Sequence, residues 1–117
     1  MARLRLRDRL EHILVAISAI KDYTRGIRED AFLIDPLRID AVERKLESIS
    51  EASRHIPDPV KARHPHIPWR DITGVGNILR HDYPRVNPRE IWRTLDRDLD
   101  PLRETIEAIL SETRKDD

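Results

Sequence analysis

The chain has 117 residues, no cysteine, and 22 basic against 22 acidic side chains. This length predicts one domain, residues 1–117, with one core, and the lack of cysteine excludes disulfides and thiolate metal sites. The balanced charge excludes a general attraction to nucleic acid, and the absence of any long apolar run or signal-peptide pattern leads us to expect a cytoplasmic protein without a membrane span.

The first predicted element is a helix from about Leu4 to Tyr23. Its apolar residues recur every three or four positions, which places them on one helical face: Leu6, Leu10, Ile13, Ile17 and Ile20. Gly26 follows, and we expect it to end this helix. A short helical turn is predicted for Arg28 to Leu33.

The second long helix is predicted to begin at Asp35-Pro36, an N-cap residue followed by proline in the first helical position. A second apolar seam continues from there through Ile39, Val42, Leu46, Ile49 and Ile56. Pro57 and Pro59 should close the helix, while Pro65 and Pro68 should keep the following stretch extended. We interpret this proline-rich connection as an ordered loop rather than a domain linker.

Two further helices complete the prediction. The third runs from Trp69 to about Tyr83, and the fourth begins at Asn87 with proline next and an acidic residue at the third position. The fourth helix has its own seam of Trp92, Leu95, Leu99, Leu102, Ile106 and Ile109. Pro101 lies inside this seam, so we expect a kink near residue 97 rather than a break. The fold class predicted is all-α: an antiparallel four-helix bundle with a short extra helical turn.

The third helix divides into an apolar and a polar side. At ~100° per residue, Ile72, Val75, Ile78 and Leu79 fall together. The opposite side carries Arg70, Thr73, Asn77, Arg80 and His81. An amide, a fixed cation and a group that titrates near neutral pH are the side chains that chemistry on a phosphodiester requires.

Gly74 and Gly76 interrupt the same helix, and each costs ~1 kcal/mol relative to alanine. Such a cost indicates either a close packing contact, within the chain or between two copies, or the approach of the backbone to a ligand.

The segment from His64 to Tyr83 resembles the signature of the HepT-like toxins, which belong to the HEPN superfamily of small helical RNases. Other segments fit the same pattern: Ile39-Asp-Ala-Val42, Ser48-Ile-Ser-Glu-Ala52, and Ile91-Trp92 leading to Leu99-Asp-Pro-Leu102. The resemblance covers nearly the whole chain. His81 and Tyr83 match the family motif, but Gly76 occupies the position of the motif arginine.

The resemblance implies a metal-independent endoribonuclease toxin without a cofactor, acting as a homodimer in a type VII-like toxin–antitoxin pair. His81 would move protons, Asn77 would orient His81 or contact a phosphate, and Arg80 would replace the missing motif arginine. The partner would be a small nucleotidyltransferase antitoxin that transfers AMP to the motif tyrosine, here Tyr83.

An arginine stripe follows the motif. Arg85, Arg89 and Arg93, with Arg97 beyond them, are spaced by four residues and would suit RNA phosphates or an acidic partner. The same spacing also fits a solvated face balanced by neighbouring acidic residues.

Other interpretations remain open at this point. Gly76 favours a catalytically weakened dimer that binds the nucleotidyltransferase or nucleotides, and a helical adaptor would explain the seams but not the polar face. His81 could instead be a hydrogen-bonded structural residue, and Tyr83 a buried interface aromatic. His64 and His66 flank a proline and are expected to shape the loop rather than bind metal.

Overall fold

The computed structural model describes the backbone of residues 4–81, 87–114 and 117, and the side chains of this set outside residues 76–81. Within these ranges every regular element is helical, so the predicted all-α bundle is confirmed. The helices in chain order are α1 (Leu6–Thr24), α2 (Glu29–Leu33), α3 (Pro36–Ser53), α4 (Asp58–Ala62), α5 (Trp69–His81) and α6 (Pro88–Glu112).

The helix ends follow the predicted local chemistry. The Asp35 carboxylate accepts a hydrogen bond from the Arg38 backbone N–H at 3.1 Å, and the Asn87 side chain accepts one from Arg89 at 2.9 Å. Both bonds satisfy amides at a helix start that have no partner within the helix. Beyond the C-terminus of α1, Gly26 has a φ of 72°, a left-handed conformation that glycine adopts without strain.

Helix α1 lies at the centre of the fold, packed against α3 on one side and α6 on the other, while α5 packs chiefly against α3. The predicted seams supply most of one continuous core. Phe32 of α2 is fully buried, and its ring centroid lies 5.1 Å from that of Trp92 on α6. The short α2 is therefore part of the core and closes one end of the bundle.

The proline-rich connection differs from the prediction of a wholly extended loop, because residues 58–62 form helix α4. The prediction was wrong here since Pro59 lies in the first turn, where it has no amide to donate, and Asp58 is an acidic residue at the positive end of the helix. The chain thus has two short helices where one short turn was predicted.

Helix α6 continues through Pro101 without a break, as expected. No helix in the described ranges has both the length and the apolar composition needed to cross a bilayer.

Candidate functional site

The N-terminus of α5 is fixed by the loop before it. The Trp69 Nε1–H group is shared between two carbonyl oxygens, at 3.2 Å from that of Lys61 and 3.0 Å from that of His64. The His66 Nε2 atom lies 3.1 Å from Thr105 Oγ1 on α6, a hydrogen bond between the loop and the far side of the bundle. His66 therefore shapes the loop, as the sequence predicted.

The inner side of α5 is fastened to α3. Ile72 and Val75 are half-buried and pack against the core, in agreement with the predicted apolar side. Between them, the Thr73 carbonyl accepts a hydrogen bond of 2.8 Å from the Ser50 hydroxyl, and Ser50 is only 1% exposed. This polar contact between two helices sets the height at which α5 lies on α3.

The outer side of α5 is open in its described part. Arg70 is exposed, and a Cβ atom built on Gly74 would meet no heavy atom within 4 Å. A close crossing of two helices within the described chain is therefore not the reason for Gly74, and a contact from outside the chain remains. In the α-helical register, positions 77 and 81 continue the same side as Arg70 and Gly74.

The predicted catalytic residues lie in the last part of α5. Asn77, Arg80 and His81 belong to the helix, which is described as far as His81, so Asn77 precedes His81 by one helical turn. Their side chains are among those that the structure does not describe. Tyr83 and Arg85 lie outside the described residues.

A groove separates α5 from α6. Its lining is mainly apolar and includes Leu46, Ile72, Val75, Leu95 and Leu99. Its charged residues are Asp71, Arg97 and Asp98. The two helices that carry the motif and the arginine stripe therefore have little direct packing between them.

The described part of the arginine stripe is partly neutralised. Arg93 pairs with Glu90 at 3.1 Å, and Arg97 forms two hydrogen bonds of 3.0 Å to Asp98. The hydrogen bond to Asp98 raises the pKa of Arg97 above its ordinary value, and the charges of Asp98 and Asp71 act in the same direction. Arg89, in the first turn of α6, is exposed.

Sequence reasoning missed the contacts that hold α5 in place. A serine in a helix carries no signal that its hydroxyl will reach a neighbouring helix, and Thr105 gives no sign of its pairing with His66. Among the described side chains, no group of three His, Asp or Glu residues is arranged to hold a metal ion.

Comparison with known proteins agrees with the resemblance. A family model described as Ribonuclease HepT-like matches residues 13–109. A protein of Thermococcus cleftensis named "Probable ribonuclease HepT" is 40% identical over 103 residues, which are 88% of this chain and 94% of that protein. A protein of Caldanaerobacter subterraneus subsp. tengcongensis, named as a putative RNase, is 33% identical over 108 residues, 92% of this chain and 96% of its own. No solved structure matches the chain. The chain belongs to the HepT-like family.

Proposed function

We propose that this chain is an endoribonuclease that acts as the toxin of a toxin–antitoxin pair. The observation that carries the proposal is the outer side of α5, where the register places Asn77 and His81 beside Arg70 and an open Gly74. The names of the relatives as ribonucleases support the reaction class.

In the proposed reaction the RNA supplies its own nucleophile. The ribose 2′-oxygen attacks the adjacent phosphorus, the bond from phosphorus to the 5′-oxygen breaks, and a 2′,3′-cyclic phosphate and a 5′-hydroxyl result. His81 acts as the base that takes the 2′ proton or as the acid that delivers a proton to the leaving oxygen, a role worth ~10²–10⁴-fold in rate. This chemistry needs no metal ion, because proton transfer and charge stabilisation are both supplied by side chains.

Arg80 is proposed as the cation that stabilises the transition state. Gly76, Arg80 and Tyr83 stand at i, i+4 and i+7, and helical side chains lean toward the N-terminus, over the preceding turn. A guanidinium at position 80 can therefore serve the space left by Gly76. Arg80→Ala should lower the rate by roughly 10²–10³-fold, as the loss of a transition-state donor does elsewhere. Full activity of Arg80→Ala would contradict this role.

Gly76→Arg is the converse test, since it restores the arginine of the family motif. Faster cleavage would mark this chain as attenuated. Loss of the dimer would show that Gly76 is required for packing between chains.

The active form is proposed to be a homodimer in which two α5 helices face each other and share one RNA strand. The open Gly74 and the apolar groove between α5 and α6 support this, because both leave surface that a second copy can cover. Light scattering at micromolar concentration should give the mass of two chains, and Val75→Asp should give one. A parent protein that is monomeric there would contradict the proposal.

The proposed regulation is AMP transfer to Tyr83 by a cognate nucleotidyltransferase. Each AMP would bring a negative phosphodiester into the cleft, where it would repel RNA phosphates and occupy Arg80. Co-expression should add mass in units of AMP at Tyr83, and Tyr83→Phe should stay folded but escape neutralisation. Modification that maps to another residue would contradict this.

The second candidate is a catalytically weakened dimer that binds the nucleotidyltransferase or a nucleotide, and Gly76 is the observation that favours it. Expression of this chain alone separates the two. Growth arrest that His81→Ala relieves supports the ribonuclease, whereas normal growth together with retained antitoxin binding supports the binding protein.

A further inference from the structure

A second polar groove lies between α1 and α3. It encloses about 560 Å³, and none of the residues that line it belongs to α5 or α6. Two small side chains, Ala16 and Ala52, make its floor shallow, and Val15 at its rim is 66% exposed. The groove is therefore separate from the motif helix and is open to a linear ligand.

Cations line both walls of this groove. Arg9 and His12 stand one helical turn apart on α1, and Arg44 and Lys45 lie on α3. The Arg9 Nε atom is buried without a hydrogen-bond partner, and neither Arg9 nor Lys45 is paired with a carboxylate among the described residues. In a chain with no net charge, these two side chains form a local excess of positive charge.

The carboxylates of the groove are held by other partners. Glu51 accepts hydrogen bonds of 3.3 Å from both His55 and Arg54, and these bonds, that from His55 foremost, lower the pKa of Glu51. Glu47 lies 3.7 Å from Arg44. Both remain anionic near neutral pH and can accept further hydrogen bonds.

We propose that the groove between α1 and α3 binds the sugar–phosphate backbone of single-stranded RNA at a distance from the cleavage site. The inference rests on the proposed function in taking RNA as the ligand. Arg9 and Lys45 contact phosphates, while Glu47 and the Ser48 hydroxyl oxygen accept hydrogen bonds from ribose 2′-hydroxyls.

This mixture of charges selects RNA over other polyanions. An acidic peptide has no hydroxyl donors along its length, and Glu47 and Glu51 would repel its side chains. DNA offers the phosphates but lacks the 2′-hydroxyl by which proteins distinguish RNA. Phosphate contacts of this kind position a strand without reading its sequence.

The double variant Arg9→Gln with Lys45→Gln removes the two unpaired cations and keeps the length of the side chains. Each lost phosphate contact on a single strand reduces the slope of log affinity against log salt by about 0.7. We therefore expect the double variant to bind a 20-nucleotide RNA roughly tenfold more weakly near 0.1 M salt, with a slope smaller by about 1.4. DNA of the same sequence should bind the parent roughly threefold more weakly than RNA does.

Binding is measured by fluorescence anisotropy on the full chain carrying His81→Ala, so that the RNA stays intact, and cleavage is measured separately on the parent. Arg28→Gln is the matched control, because Arg28 is exposed and its side chain makes no hydrogen bond at the start of α2. Thermal melts of all variants show that they are folded.

An affinity and salt slope equal to those of the control would overturn the inference, as would competition by polyglutamate as strong as that by RNA, which would indicate an acidic protein partner. Cleavage by the parent with no effect of the double variant would remove this inference alone. RNA binding that depends on Arg9 and Lys45 without cleavage would remove the proposed function alone, and no RNA binding by the parent would remove both.

Discussion

Helices α1 and α5 belong to the same bundle but are held in opposite ways. Four side chains of α1 are fully buried, Leu10, Ile13, Ile17 and Ile20, and the helix is covered by α3 and α6. In α5 the described apolar residues Ile72 and Val75 are only half-buried, and the helix packs chiefly against α3. Since complete burial of an isoleucine contributes about 2–3 kcal/mol, α1 stabilises the fold to a degree that α5 does not.

The difference teaches that stability and chemistry are separated along this chain. A helix with an uncovered side can present polar groups to a substrate or to a second copy without the loss of core contacts. Substitutions in α1 should therefore change the free energy of unfolding, whereas substitutions on the outer side of α5 should change activity.

The largest effect is expected from His81→Ala. If His81 transfers protons, RNA cleavage should fall by about 10²–10⁴-fold while the melting temperature stays within a degree or two of the parent. A fluorogenic RNA assay and a calorimetric scan measure both quantities. A large fall in melting temperature would place His81 in the structure rather than in the chemistry, and the comparison of the two helices would fail.

The opposite pattern is expected from Ile17→Ala in α1. Removal of a fully buried isoleucine side chain should lower the free energy of unfolding by about 2–5 kcal/mol, through lost burial and the cavity left behind. Urea denaturation measures this change. Val15→Ala on the exposed side of the same helix is the control and should change stability by less than about 1 kcal/mol. Equal effects at the two positions would contradict the described burial.

Ser50→Ala tests the connection between the two regions. Loss of the 2.8 Å hydrogen bond to the Thr73 carbonyl should cost about 0.5–1.5 kcal/mol and should speed hydrogen exchange in α5 more than in α1. Ser111→Ala is the control, because the Ser111 hydroxyl bonds only within its own helix, to Ala108. If exchange in α5 does not change, the serine does not fasten that helix.

The smallest effect is expected at the ion pair between Lys21 and Asp100, which joins α1 to α6. The hydrogen bond from Lys21 holds the pKa of Asp100 below its ordinary value, so the pair stabilises the fold above that value and ceases to do so as the pH falls through the lowered pKa. The side chains are 38% and 56% exposed, so Lys21→Met should cost less than about 1 kcal/mol at pH 7.

Melts of Lys21→Met and of the control Lys61→Met from pH 7 down to pH 2 measure this contribution. The difference between parent and Lys21→Met should shrink below about pH 4. A difference that grows with acidity would have the wrong sign for this pair.

Much of the fold follows from local sequence alone. The spacing of Leu10, Ile13 and Ile17 requires a helix with one buried face, and Asp35 and Asn87 mark helix starts because their side chains satisfy backbone amides that otherwise have no partner. The same periodicity predicted that Ile72 and Val75 would face the core. Such signals lie within a few residues of the feature that they determine.

Only the tertiary structure decided how the helices fit together. Helix α4 forms where two prolines suggested an extended chain, because proline in a first turn does not oppose a helix. The Ser50 contact, the open space at Gly74 and the groove between α1 and α3 depend on the distance between helices that are far apart in sequence. Periodicity indicates which face of a helix is buried, but which helix covers that face is set by packing of the whole chain.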